Sequence, residues 1–119
     1  MGGVPADLDL GFLSGAEPVS VSQGLYQISL VFHPMGIISI EGDWELFDQT
    51  GQVIDQDCWG PDRQQPYKLH LLLGHRVVST EVTAPESFAL IFDNGLVLRV
   101  YDRSPQYESF SIQPGDIFV

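Results

Sequence analysis

Residues 90–102 read LIFDNGLVLRVYD, and their alternation decides the architecture. Asp93-Asn94-Gly95 is a tight-turn signal, because Asn and Gly tolerate the positive φ that a two-residue type I′ hairpin requires. Phe88, Leu90 and Phe92 precede the turn and Leu96, Leu98 and Val100 follow it. Apolar β-formers at every second position make a hairpin with one apolar face. Half a chain earlier, residues 30–42 read LVFHPMGIISIEG. Leu30, Val31 and Phe32 answer to Leu90, Ile91 and Phe92; Ile37, Ile38 and Ile40 answer to Val97, Leu98 and Val100. The chain reads as carrying this hairpin twice.

Outward from the two hairpins, the segments before them also correspond. Residues 4–13 carry Leu8, Leu10, Phe12 and Leu13, with Pro5 at the start and Gly15 as a stop. Residues 66–73, PYKLHLLL, open on Pro66 and are stopped by Gly74. Both are predicted to be short helices, with Leu69, Leu72 and Leu73 on one face. Strands are expected around Val19 and Val21, along Tyr26, Ile28, Leu30 and Phe32, and over residues 76–83 and 86–92. Residues 44–48 are expected to extend the strand path beyond residues 36–40. Residues 48–51 then turn into 52–54, and residues 107–112 run through a turn to Ile117, Phe118 and Val119. A polar connector, DQDCWGPDRQQ, spans residues 55–65. The expectation is one domain over residues 1–119 of α+β class. It is mainly antiparallel β-sheet, built from two tandem helix-plus-meander repeats, about 1–60 and 61–119, that share one core.

Composition bounds the function classes. The chain has 119 residues, 44% of them hydrophobic, so it can bury a core without covalent staples. One cysteine permits no intramolecular disulfide and no all-cysteine metal site, which fits a reducing compartment. The first ten residues, MGGVPADLDL, carry no basic stretch and no long apolar run, so they do not read as a secretory signal. No segment approaches the roughly 20 apolar residues of a membrane helix. By elimination the expected location is cytoplasmic.

Charge is the most unusual global feature. The formal net charge is −11. Residues 1–60 contain no Lys or Arg; the bases are Arg63, Lys68, Arg76, Arg99 and Arg103. A field of this sign repels nucleic acid and anionic membrane surfaces and attracts basic proteins. Solubility alone is the plainer account of the same charge. Glu41, Asp43 and Glu45 stand at alternate positions. A strand continuous through Gly42 puts all three on one face, where they repel unless something compensates them. They are the candidate partner-binding residues, together with Tyr107 and Glu108, an aromatic beside a charge. The competing account has Arg99 and Arg103 neutralising the cluster within the fold.

No local motif carries catalysis. Asp55, Asp57 and Asp62 surround Cys58 but do not match a calcium loop. Neighbouring acids raise a thiol pKa and oppose a nucleophilic role for Cys58. His70 and His75 lack the i, i+4 spacing of paired ligands on a helix. No catalytic residue, metal ligand or cofactor is assigned.

The pattern FDNG…L.V.D.SPQYESFSI, over residues 92–112, is similar to that of short uncharacterised bacterial proteins, some of immunity-protein type. The resemblance covers the last third of the chain and implies a binding role without catalysis. The resulting reading is a non-enzymatic acidic interaction protein, an immunity-type neutraliser of a basic partner, with no nucleic acid or membrane involved. The alternative is a small enzyme or ligand-binding protein with a pocket between the repeats, built from His70, His75, Arg76 and nearby carboxylates. A homodimer is the third reading.

Overall fold

Period-two alternation is realised along most of the chain, in a computed structural model that describes residues 4–57, 67–102, 110–113 and, by backbone only, 117–118. The strands in chain order are β1 (Glu17–Gln23), β2 (Ile28–His33), β3 (Ile37–Ile40), β4 (Trp44–Phe47) and β5 (Val53–Gln56), then β6 (Val77–Thr83), β7 (Ser87–Phe92), β8 (Val97–Tyr101), β9 (Phe110–Gln113) and β10 (Ile117–Phe118). They form two five-stranded antiparallel sheets. Sheet 1 has the order β1-β2-β3-β9-β10 and sheet 2 the order β6-β7-β8-β4-β5.

The alternating residues of β2, β3, β7 and β8 face inward as their spacing requires. Ile28, Leu30, Phe32, Ile38 and Ile40 are buried from sheet 1, and Phe88, Leu90, Phe92, Leu98 and Val100 from sheet 2. They belong to one hydrophobic cluster. Phe88 on β7 meets Phe110 on β9 edge to face, ring centroids 4.9 Å apart, so the inner faces of the two sheets touch directly.

Two features correct the expected α+β fold of tandem helix-plus-meander repeats. First, no α-helix occurs among the described residues. The two predicted helices are single 3₁₀ turns, Gly11–Leu13 and Leu69–Leu72. Leu69 and Leu72 are buried three residues apart, the spacing that eclipses in a 3₁₀ turn, while Leu71 and Leu73 are exposed. In the first segment Asp9 bonds the Gly11 amide through its own carboxylate at 2.8 Å, a local alternative to a helical bond. Second, neither sheet belongs to one half of the chain. Each takes a three-strand meander from one half and two strands from the other. Residues 41–43 do not extend β3: they carry the chain from its end in sheet 1 to the start of β4 in sheet 2.

Reciprocal backbone bonds tie the edge strands β1 and β6 together. The Gly15 amide donates to the Val77 carbonyl at 2.8 Å, and the Gly74 amide donates to the Pro18 carbonyl at 2.9 Å. Each of these glycines has positive φ, 82° and 78°. Both edge strands bulge just beyond, between Pro18 and Ser20 and between Val77 and Ser79.

The hairpin at residues 93–95 also differs from the expected two-residue turn. The Phe92 amide donates to the Leu96 carbonyl and the Gly95 amide donates to the Phe92 carbonyl, both at 2.9 Å. The loop is therefore three residues, with Gly95 at φ 86° in its last position. The Asn94 side chain favours this form, since its Oδ1 accepts from the Leu96 amide and its Nδ2 donates to the Leu71 carbonyl.

Candidate functional site

The inward alternation of β4 and β8 leaves Glu45, Phe47, Val97, Arg99 and Tyr101 on the outer face of sheet 2. All five are half-buried. Register places one row straight across this face: Glu81 on β6, Ala89 on β7, Arg99 on β8, Glu45 on β4 and Gln56 on β5. Ala89 is short enough for the Arg99 side chain to cross it. Arg99 Nη1 donates to Ser87 Oγ at 3.0 Å and Nη2 lies 4.0 Å from Glu81 Oε1. Glu45 accepts a short hydrogen bond from the Tyr101 hydroxyl.

The matching row of sheet 1 provides an internal comparison. Ser22, Ser29, Ser39 and Ser111 are successive register partners across β1, β2, β3 and β9. Ser29 and Ser39 share a hydroxyl hydrogen bond at 3.1 Å. Sheet 1 thus carries four hydroxyls in this row, and sheet 2 carries Glu81, Arg99 and Glu45 in its own.

An open cleft of about 380 Å³ lies on the charged side, lined chiefly by Phe47, Asp48, Gln49, Glu81, Val97 and Arg99. Asp48 is fixed by the β4–β5 turn. Its Oδ1 accepts from the Thr50 hydroxyl at 2.6 Å, the Thr50 amide at 2.8 Å and the Gln52 amide at 3.1 Å. The Thr50 hydroxyl first, and the turn amides after it, hold the Asp48 carboxyl below the usual carboxylate range. Gln49 donates to the Asn94 carbonyl at 2.6 Å and packs on Gly95, joining this turn to the β7–β8 hairpin.

The sequence-predicted residues fall as follows. Glu41 is exposed just past β3, Asp43 is half-buried before β4, and Glu45 is within β4. The crossing at Gly42 means that they do not share one strand face, because only Glu45 is on a strand. Backbone bonds gather further acids at the same end of sheet 2. The Tyr101 amide donates to the Asp43 carbonyl at 3.0 Å and the Asp102 amide to the Glu86 carbonyl at 2.8 Å. Asp57 accepts from the Trp44 amide at 3.1 Å through its side chain. Tyr107 and Glu108 lie outside the described residues, as do Arg103, Cys58 and Asp62. Asp55 accepts from the Lys68 amide at 2.7 Å and the Gln56 amide at 2.9 Å, a structural use of a residue that sequence had placed in the connector.

The histidines stand apart from the cleft. His75 Nδ1 is 2.8 Å from Asp93 Oδ1, on the β7–β8 hairpin. His75 first, and the Arg76 backbone after it, hold the Asp93 carboxyl below its usual range. His70 Nδ1 faces the Tyr67 carbonyl at 3.3 Å. Among the described residues none of His70, His75 and Arg76 lines the cleft. Nor do the described residues include a group of three or more His, Cys, Asp or Glu able to hold a metal, or a helix long and apolar enough to cross a membrane.

Neither Asp48 nor Glu81 carries a site signal in the sequence. Glu81 is the lone charge in a β-branched run, and Asp48 reads simply as a turn former. No protein-family model, curated protein or solved structure matches the chain.

Proposed function

We propose that this protein binds a basic protein partner, without catalysis, through the outer face of sheet 2 and the acidic end that leads into it. Glu41, Asp43 and Glu45 contribute from that end. The observation that carries this reading is the contrast between the two rows. Part-burying charged groups costs free energy that a hydroxyl row does not incur. Sheet 1 forms its ladder with serines in its outward row, so strand pairing alone does not call for the half-buried Arg99 and Glu45. The net charge of −11 adds long-range attraction for a cationic partner and speeds encounter. Neutralisation of a basic toxin, the role implied by the resemblance of residues 92–112, is an interaction of this kind. The single cysteine supports a cytoplasmic setting.

Decalysine serves as a generic basic probe, titrated into the full chain while backbone amide resonances are followed. The reading predicts shifts along β4 and β8, with affinity falling about tenfold as salt shortens the Debye length from roughly 30 to 8 Å. Shifts of equal size along the serine row, or no binding in low salt, would contradict it.

A further inference from the structure

From the cleft on sheet 2 we infer a seat for one cationic side chain, lysine or arginine, of the basic partner. This inference rests on the binding role proposed above and specifies its chemistry. Phe47 and Val97 are register partners on β4 and β8, both half-buried and both outward, so they form an apolar strip. Asp48 and Glu81 line the same cleft. An apolar strip beside carboxylates suits a side chain with a methylene stem and a charged head.

The two carboxylates play different parts. Asp48 is held by Thr50 and Gln52, so little side-chain freedom is lost when a cation meets it. Glu81 is 59% exposed and its contact with Arg99 is long, at 4.0 Å. An incoming cation can share Glu81 while Arg99 keeps its bond to Ser87. Gln49, anchored to Asn94, fixes the turn that carries Asp48. Two carboxylates against one guanidinium, within a chain of net charge −11, disfavour an anion. Pockets that enclose whole small molecules run from about 300 to 1,000 Å³ and bury most of the ligand. This cleft is at the lower end of that range and open, which suits a single side chain presented by a larger body.

The test uses the full chain and three capped tripeptides, Gly-Lys-Gly, Gly-Arg-Gly and Gly-norleucine-Gly, followed by amide shifts. Both cationic peptides are expected to move the resonances of Asp48, Glu81, Val97 and Arg99, with dissociation constants in the millimolar range. The norleucine peptide should not. Glu81→Gln should weaken the cationic peptides about threefold to fivefold. Equal shifts with norleucine, or none at these residues with either cation, would overturn the inference. Decalysine separates the two levels. If it still maps to sheet 2 while the tripeptides miss the cleft, the cleft assignment fails and the binding face stands. If decalysine does not bind, both fail.

Discussion

Glu45 and Arg99 are register partners on adjacent strands, yet their side chains engage different groups. Glu45 takes the Tyr101 hydroxyl, and Arg99 reaches across Ala89 to Ser87 and Glu81. The account in which Arg99 neutralises the acidic cluster through this strand pair does not describe the bonds they make. Replacing Arg99 by the residue of the matching row therefore becomes informative. Arg99→Ser should cost about 1–3 kcal/mol, since it takes the Arg99 donor away from the buried Ser87 hydroxyl, while the long pair with Glu81 adds little. The same variant should bind decalysine more tightly, by removing a base from the face. A chemical-denaturation curve and a binding titration check the two halves of this prediction.

The Glu45–Tyr101 bond links β4 to β8 at the end where the acids gather. Tyr101→Phe and Glu45→Gln should each lose about 1.5–3 kcal/mol of stability, the range for a hydrogen bond to a charged group. The double variant should lose less than the sum, because both changes remove one interaction. Strict additivity in denaturant unfolding would show that the two side chains act independently.

Gly95 and Gly51 have nearly the same φ, 86° and 88°, but different surroundings. A Cβ at Gly95 collides with the Gln49 side chain, whereas a Cβ at Gly51 meets nothing within 4 Å. Gly51→Ala should cost about 1 kcal/mol, the backbone penalty alone. Gly95→Ala should cost about 2–3 kcal/mol, adding displacement of Gln49. Thermal melts should rank them in that order, and Gly95→Ala should narrow its deficit when combined with Gln49→Ala.

Asp93 carries a pH signature. Its pKa is lowered in the fold, chiefly by His75, so its contribution to stability is present above the unfolded carboxylate value and is lost as pH falls through the folded value. His75→Ala should raise the Asp93 pKa toward 3.8, the ordinary value. Carboxyl-carbon NMR titration measures this directly. An unmoved Asp93 would assign the shift to the Arg76 backbone instead.

Much of the sheet interior was legible because period-two burial is a local property. Leu30, Phe32, Leu90 and Phe92 show it in their own segments and are buried. Leu69, Leu72 and Leu73 fit a helical face in sequence, yet the four residues between Lys68 and the exposed Leu73 close only one 3₁₀ turn. The crossing at Gly42 was illegible for another reason. Alternation continues through Glu41, Asp43 and Glu45, and only pairing of β4 with β8 shows that the strand has changed sheets. The cleft depended on two distant elements, since Asp48 comes from the β4–β5 turn and Glu81 from an edge strand. Aligning Ile38 and Ile40 with Leu98 and Val100 sets Ser39 against Arg99 in sequence, and in the fold these two stand in the outward rows of different sheets.

The most direct measurement compares two charge-matched variants in decalysine binding. One neutralises Glu41, Asp43 and Glu45 as Gln, Asn and Gln; the other neutralises Asp7, Asp9 and Glu17 as Asn, Asn and Gln. Each removes the same charge, but the second set lies on β1 and the segment before it. If the acidic end of sheet 2 is the binding face, the first variant should weaken decalysine about tenfold and the second about twofold at low salt, with both still folded by circular dichroism. Equal weakening by the two sets would show that net charge alone attracts the peptide, and would contradict the assignment of a binding face to sheet 2.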